Sequence, residues 1–381
     1  MSAFYTWDAD VPEVPGQLLR SEPLPPTLGL ANAAVQLRVL YSSTDGVGGS
    51  TPVAVSGAVF IPKGQPPQGG WPIVAWAHGT FGMADICAPS WFGRSYRDVR
   101  YLNAWLAQGY AVVATDFQGL GTPGPNPQLN NRANSYSLLD SVRAALHDRH
   151  DLANEVVLVG QSQGGSAVVA AAGYAPAYSP ELHIRAIVAT GVIYNASKQT
   201  LAGIAPFKTA YRRDPSRVDP TLAYQFYSVL SAQQIDPAIK ASDVLVDAAI
   251  PMLEQARTSC LASLEDDAET AGLTADTTTK PGGNARLAAW WNEYLKYPTL
   301  KVDAPLFIGI GADDGLAPLE LSLAKDACSA GTTVEAHLYE GRTHNGTVNT
   351  SLADSIPFVK KALAHTPIEP QCSPLEQTPV Q

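Results

Sequence analysis

The sequence predicts an α/β architecture: a mostly parallel central sheet with helices on both faces and a helical cap inserted between two late strands. Three observations carry this. Short aliphatic runs alternate with amphipathic helical stretches from Ile73 to Ala364, the pattern of parallel strands joined by crossover helices. The alternation stops between residues 196 and 302 and then resumes. The run Val156–Val159 passes through Gly160-Gln161-Ser162-Gln163-Gly164 into a small-residue helix, Ser166 to Gly173, so a serine stands at the corner of a strand–turn–helix unit.

Residues up to about Leu30 are Pro-rich and read as an irregular arm. Val35, Leu37, Val39 and Tyr41 alternate, as do Val53, Val55, Gly57, Val59 and Ile61, with a turn-rich Asp45–Ser50 between them. This predicts an antiparallel pair opening the sheet. Ile73–Ala77 reads as a buried strand ending at His78-Gly79-Thr80. Tyr96–Gln108 carries Val99, Leu102, Trp105 and Leu106 on one helical face and stops at Gly109. Tyr110–Thr115 is the next strand, followed by the loop Asp116–Pro127 and a helix capped by Asn134 or Ser135. Ile184–Thr190 is the strand after the serine helix.

Residues 196–302 contain helical stretches such as Tyr224–Gln233 and Ala285–Tyr294 but no clear strand. The expected division is therefore a core of residues 1–195 and 303–381, with N-terminal arm and C-terminal tail, and a cap of residues 196–302. Strand Pro305–Gly311, helix Leu319–Ala327, strand Thr333–Tyr339 and helix Ser351–Ala364 complete the core, and the tail from Thr366 is again Pro-rich.

A chain of 381 residues with 45% hydrophobic and 16% charged residues is long enough for a large core with an insertion. Its net charge of -10, with no basic cluster, argues against nucleic acid and anionic membrane surfaces as partners. No apolar run reaches the length of a membrane span. The N-terminal residues have neither a basic n-region nor an apolar h-region, so no signal peptide is expected in this sequence. The four cysteines lack a C-x-x-C pair, which argues against zinc and leaves two disulfides or four buried thiols. Of three pairings, Cys87–Cys260 with Cys328–Cys372 is preferred.

G-x-S-x-G alone is weak, arising by chance in roughly one chain in ten of this size. Its context gives it meaning. A serine hydroxyl needs a base to take its proton, and the base needs a carboxylate to orient it. The strand ending at Gly311 delivers Asp313 and Asp314, and the strand ending at Tyr339 delivers His344 in a Gly-flanked loop. The chain order Ser, acid, His is that of α/β-hydrolases. Ser162 is the expected nucleophile, His344 the base and Asp314 the acid, with Asp313 as the alternative acid and Glu340 a distant third. The amides of Gln163 and Thr80 are the expected oxyanion donors. His78 and Asp116 read as structural residues of their loops. No cofactor or metal site is expected: Gly119-x-Gly121-x-x-Gly124 is interrupted by prolines, and His147, His150 and Asp151 sit at a solvated helix end.

The set AWAHGTFGMADICAPS, DFQGLGTPGPNP, VLVGQSQGG, IGADDGLAP and EGRTHNGT resembles the secretory lipase (lipase A-like) family of α/β-hydrolases. The resemblance runs from about Leu18 to Ala364. It implies an α/β-hydrolase fold with an inserted helical cap, the triad Ser162, Asp314 and His344, and cofactor-free hydrolysis of a small-molecule or lipid ester. It also implies export, so a secreted or periplasmic location is expected, with the cytoplasm left open by the absent signal. A peptidase, amidase or acyltransferase using the same triad is the alternative, and a non-catalytic binding protein of this fold comes after it. Phe226, Tyr227, Val229 and Leu230, or Val244 to Leu253, are either a lipid-facing underside of the cap or its ordinary packing.

Overall fold

The computed structural model describes residues 1–196 and 214–377. Its centre is a ten-stranded sheet of β1 (Leu18–Pro23), β2 (Ala33–Thr44), β3 (Pro52–Pro62), β4 (Trp71–Ala77), β5 (Ala111–Thr115), β6 (Leu152–Gln161), β7 (Ile184–Thr190), β8 (Leu306–Gly311), β9 (Val334–Tyr339) and β10 (Gln371–Gln377). The spatial order is β1-β2-β3-β5-β4-β6-β7-β8-β9-β10. β1, β2, β3 and β5 pair antiparallel in turn, and every pairing from β5 through β10 is parallel.

Nearly every residue of the central strands is apolar because both faces are covered. Ile73, Ala75, Val156 and Leu158 point into one core layer with α2 (Asn131–Asp148), α3 (Gln163–Tyr178) and α8 (Ala317–Ala330). Their neighbours Val74, Trp76, Val157 and Val159 point into the other, with α1 (Tyr96–Ala107) and α9 (Leu352–Leu363). Each fully buried aliphatic side chain here stabilises the fold by roughly 1.5–3 kcal/mol.

Two elements differ from the expectation. The N-terminal arm is not irregular throughout: β1 adds antiparallel to β2, with Glu22 opposite Arg38 and the two side chains paired. The Pro-rich tail likewise forms β10, parallel to β9 and tied to α8 by the Cys328–Cys372 disulfide. The cap of α2 also lies earlier than expected, at Asn130, whose side chain accepts from Ala133 N at 2.9 Å. Asn131 and Asn134 are buried in the first turn, so the helix begins ahead of the residues expected to cap it.

Between β7 and β8 the described residues form helices, including α4 (Ala223–Ile235), α5 (Ile250–Ala256), α6 (Leu261–Thr270) and α7 (Ala288–Tyr294). Phe226, Tyr227, Leu253, Trp290 and Tyr294 pack there into an apolar cluster separate from the two sheet layers. Phe226, Tyr227, Val229, Leu230 and Val244 are buried in that cluster, which makes them packing residues. The second disulfide, Cys87–Cys260, joins the loop after β4 to the start of α6.

Candidate active site

Ser162 stands between β6 and α3 with φ 57° and ψ -121°. This backbone region strongly favours glycine, and a serine held there costs about 1–3 kcal/mol. The surroundings impose it: Ser162 N–H donates to Thr190 O at 2.9 Å, and Ser162 O accepts from Ser166 N at 3.0 Å. The flanking glycines are steric requirements. A Cβ on Gly164 would lie 1.9 Å from Ala77 O, and one on Gly160 would lie 2.2 Å from Gly164 O.

The loops after β8 and β9 bring Asp314 and His344 together. His344 Nδ1 and Asp314 Oδ2 are 2.7 Å apart. Asp314 is buried, and its other oxygen accepts from Leu316 N at 2.9 Å. That leaves the carboxylate fixed and one imidazole nitrogen occupied. Asp313 is exposed, its amide donating to Arg342 O at 2.9 Å, and Glu340 is exposed as well. The His344 ring rests on Gly191, just beyond β7: a Cβ there would lie 2.5 Å from His344 Cε1. Gly191 follows Thr190, the residue that accepts the Ser162 amide, so β7 supports both the serine and the histidine.

His344 and Ser162 line one cavity of about 690 Å³. Gly79 and Thr80 line it too, and a Cβ on Gly79 would lie 3.4 Å from Ser162 Cβ, so the loop after β4 abuts the serine. Gln163 opens α3, where amides have no partner within the helix. Its side chain is committed elsewhere, accepting from Leu129 N at 3.1 Å. The Thr80 hydroxyl accepts from Gln128 Nε2 at 3.3 Å. Tyr224, Cys260, Leu261 and Glu265 line the cavity as well, and of these the sequence singles out only Cys260, as a disulfide partner. Burial pushes the Glu265 carboxyl above its ordinary range.

His78 and Asp116 hold this loop. His78 is buried between Phe81 and Phe117 and its ring nitrogens face Gly79 O and Asp116 O. Burial lowers its pKa. Asp116 Oδ1 accepts from Ser90 N at 3.0 Å and its Oδ2 from Ser56 Oγ at 2.7 Å. Reading by motif also missed Gly191 and Glu320. A charged residue among Ala317, Leu321 and Ala324 on the apolar face of α8 is the signal that marks Glu320.

A family model described as secretory lipase matches residues 96–204. Lipase A of Moesziomyces aphidis is 29% identical over 200 residues, 48% of this chain; the match spans 40% of that relative's length. Among solved structures, Candida antarctica lipase A in its closed state superimposes with a TM-score of 0.73 at 22% identity, over 96% of this chain and 86% of that one. The rice cell wall degrading esterase LipA from Xanthomonas oryzae gives a TM-score of 0.67 at 19% identity, over 91% of this chain and 97% of that one. The structural likenesses carry the fold. With the family model and the sequence relative beside them, the chain is similar to the secretory lipase family and has a lipase A-like α/β-hydrolase fold.

Proposed function

We propose that the protein is a serine hydrolase cleaving carboxylic esters, an esterase or lipase, through an acyl-enzyme on Ser162. The observation that carries this reading is the 2.7 Å contact between His344 Nδ1 and Asp314 Oδ2, with His344 sharing a cavity with the strained Ser162. Asp314 fixes the tautomer that leaves His344 Nε2 free to act as base. His344 takes the Ser162 proton as Oγ attacks the ester carbonyl, and returns it to the leaving alcohol. Water, deprotonated by the same imidazole, then releases the acid. The Gln163 and Thr80 amides bind the oxyanion of each tetrahedral intermediate; such a donor is worth about 100- to 1000-fold in rate.

The described residues between β7 and β8 act in this reading as a cap over the cavity, the rest of the expected 196–302 cap lying outside the described residues, and the substrate is a small-molecule or lipid ester. The two disulfides and the secretory lipase family support export. Among the described residues no helix is long and apolar enough to cross a membrane. The test is labelling by a fluorophosphonate probe together with p-nitrophenyl esters from acetate to palmitate. Stoichiometric labelling, abolished in Ser162→Ala, and a defined chain-length optimum are expected. A wild-type protein that neither labels nor hydrolyses any ester overturns the reading.

A further inference from the structure

Glu320, in the first turn of α8, is fully buried beside the acid loop. Its Oε1 accepts from Val192 N at 3.0 Å, and the neighbouring Gly191 amide acts on the same carboxyl. Its Oε2 is buried and has no hydrogen-bond partner among the described residues. Gly191 is the residue against which the His344 ring rests. Glu320 thus touches the far side of the support on which the imidazole lies.

Among the described residues the charges around this carboxyl are few. Asp314 is the charged group that acts on it. The strands under α8 turn Leu306, Ile308 and Ile310 of β8 and Val334, Ala336 and Leu338 of β9 toward the same core layer. From the loop after β7 come the Gly191 and Val192 amides, and Tyr194 of that loop bonds Asp326 farther along α8. Ser166 of α3 and Tyr297 both bond Ile193 O and are neutral. Burial first, and the Asp314 charge second, hold the Glu320 carboxyl well above the usual range. Ionising it would put a second buried anion beside the carboxylate that orients His344.

We propose that Glu320 is a positioning residue that acts through the Gly191–Val192 turn, holding His344 in register with Asp314. The inference rests on the Ser162–His344–Asp314 chemistry proposed above. Loss of the proton from Glu320, at a pH above the ordinary carboxyl range, disturbs both the turn and the Asp314–His344 pair, and so places an upper limb on kcat that belongs to neither Ser162 nor His344.

The test is the pH profile of kcat and KM for p-nitrophenyl ester hydrolysis by wild type, Glu320→Gln and Glu320→Ala, with fluorophosphonate labelling of each. Gln keeps the acceptor without the proton, so E320Q is expected within about threefold of wild-type kcat at pH 7, with its upper limb moved to higher pH. E320A removes the acceptor and is expected to lose about 10- to 100-fold in kcat with KM little changed, the scale on which misplacing a catalytic group acts. Wild-type kcat in E320A, equal impairment in both variants, or an unmoved upper limb in E320Q overturns the inference. If E320A does not fold, the E320Q limb alone decides. A wild type that does not label fails the triad reading; a labelled wild type with indifferent Glu320 variants fails this inference alone.

Discussion

Cys87 and Cys260 join the loop after β4 to the wall of the Ser162 cavity across 173 residues of sequence. The same junction is reinforced by the backbone, where Leu261 N donates to Phe81 O at 2.7 Å. Cys328–Cys372, by contrast, pins β10 to α8 on the sheet edge. Replacing either pair by serine should cost about 2–4 kcal/mol of stability. The two should separate in activity: C87S/C260S loses kcat/KM toward esters, whereas C328S/C372S keeps it at a temperature below its lowered Tm. Melting curves paired with kcat/KM check this, and equal kinetic loss in both double variants would contradict it.

Ser162 holds a backbone conformation that suits glycine, so its side chain and its stability pull in opposite directions. Ser162→Ala should abolish ester hydrolysis by at least about 10⁴-fold without altering the fold. Ser162→Gly should be equally inactive yet more stable, by about 1 kcal/mol once the extra freedom of glycine in the unfolded chain offsets part of the relieved strain. Urea denaturation of the two variants side by side reads the difference. A Gly variant less stable than the Ala variant would show that the turn stores no strain.

The features legible in the sequence share a physical basis. The central strands read clearly because both faces are buried, and the turn at Ser162 because its glycines are sterically forced. The pairing of His344 with Asp314 follows from each lying in the loop after a late strand. β1 and β10 escaped because edge strands need no apolar run. Leu18 to Pro23 are half-buried or exposed, and β10 is anchored by a disulfide and begins among prolines and polar residues. The first turn of α2 escaped because its asparagines are buried through packing that only the folded chain supplies. Gly191–Val192 and Glu320 belong to no motif, Val192 and Glu320 being separated by 128 residues; only the fold brings them to the histidine.

Gly191 offers a way to move the imidazole without touching it. Its φ is +62°, and a Cβ would lie 2.5 Å from His344 Cε1 and 2.9 Å from Nδ1. Gly191→Ala should therefore displace the ring and reduce kcat by about 100-fold, the cost of misplacing a catalytic group by about an ångström. Because the ring is partly exposed at 29%, it has room to swing outward, so the loss of stability should be small beside that of Gly164→Ala, whose Cβ meets backbone at 1.9 Å. Comparing kcat with the melting temperature for both variants separates the two effects. A fully active G191A would mean that the ring does not need its present seat.

The buried Glu320 carboxyl also predicts how stability responds to pH. Its pKa is raised in the folded state above the ordinary 4.5, by burial first and by Asp314 second. Between 4.5 and the raised folded value, the folded protein holds a proton that the unfolded chain has released. Stability contributed by this group is therefore complete below about pH 4.5 and falls as pH rises through that window, by at most about 1.4 kcal/mol per pH unit. Glu320→Gln cannot release a proton and lacks this slope. Unfolding in urea over a pH series from 5 upward should show E320Q gaining on wild type until the raised folded value is passed. The subtraction cancels the titration of every group common to both proteins. A difference between the two that stays constant with pH would mean that Glu320 titrates normally in the folded state.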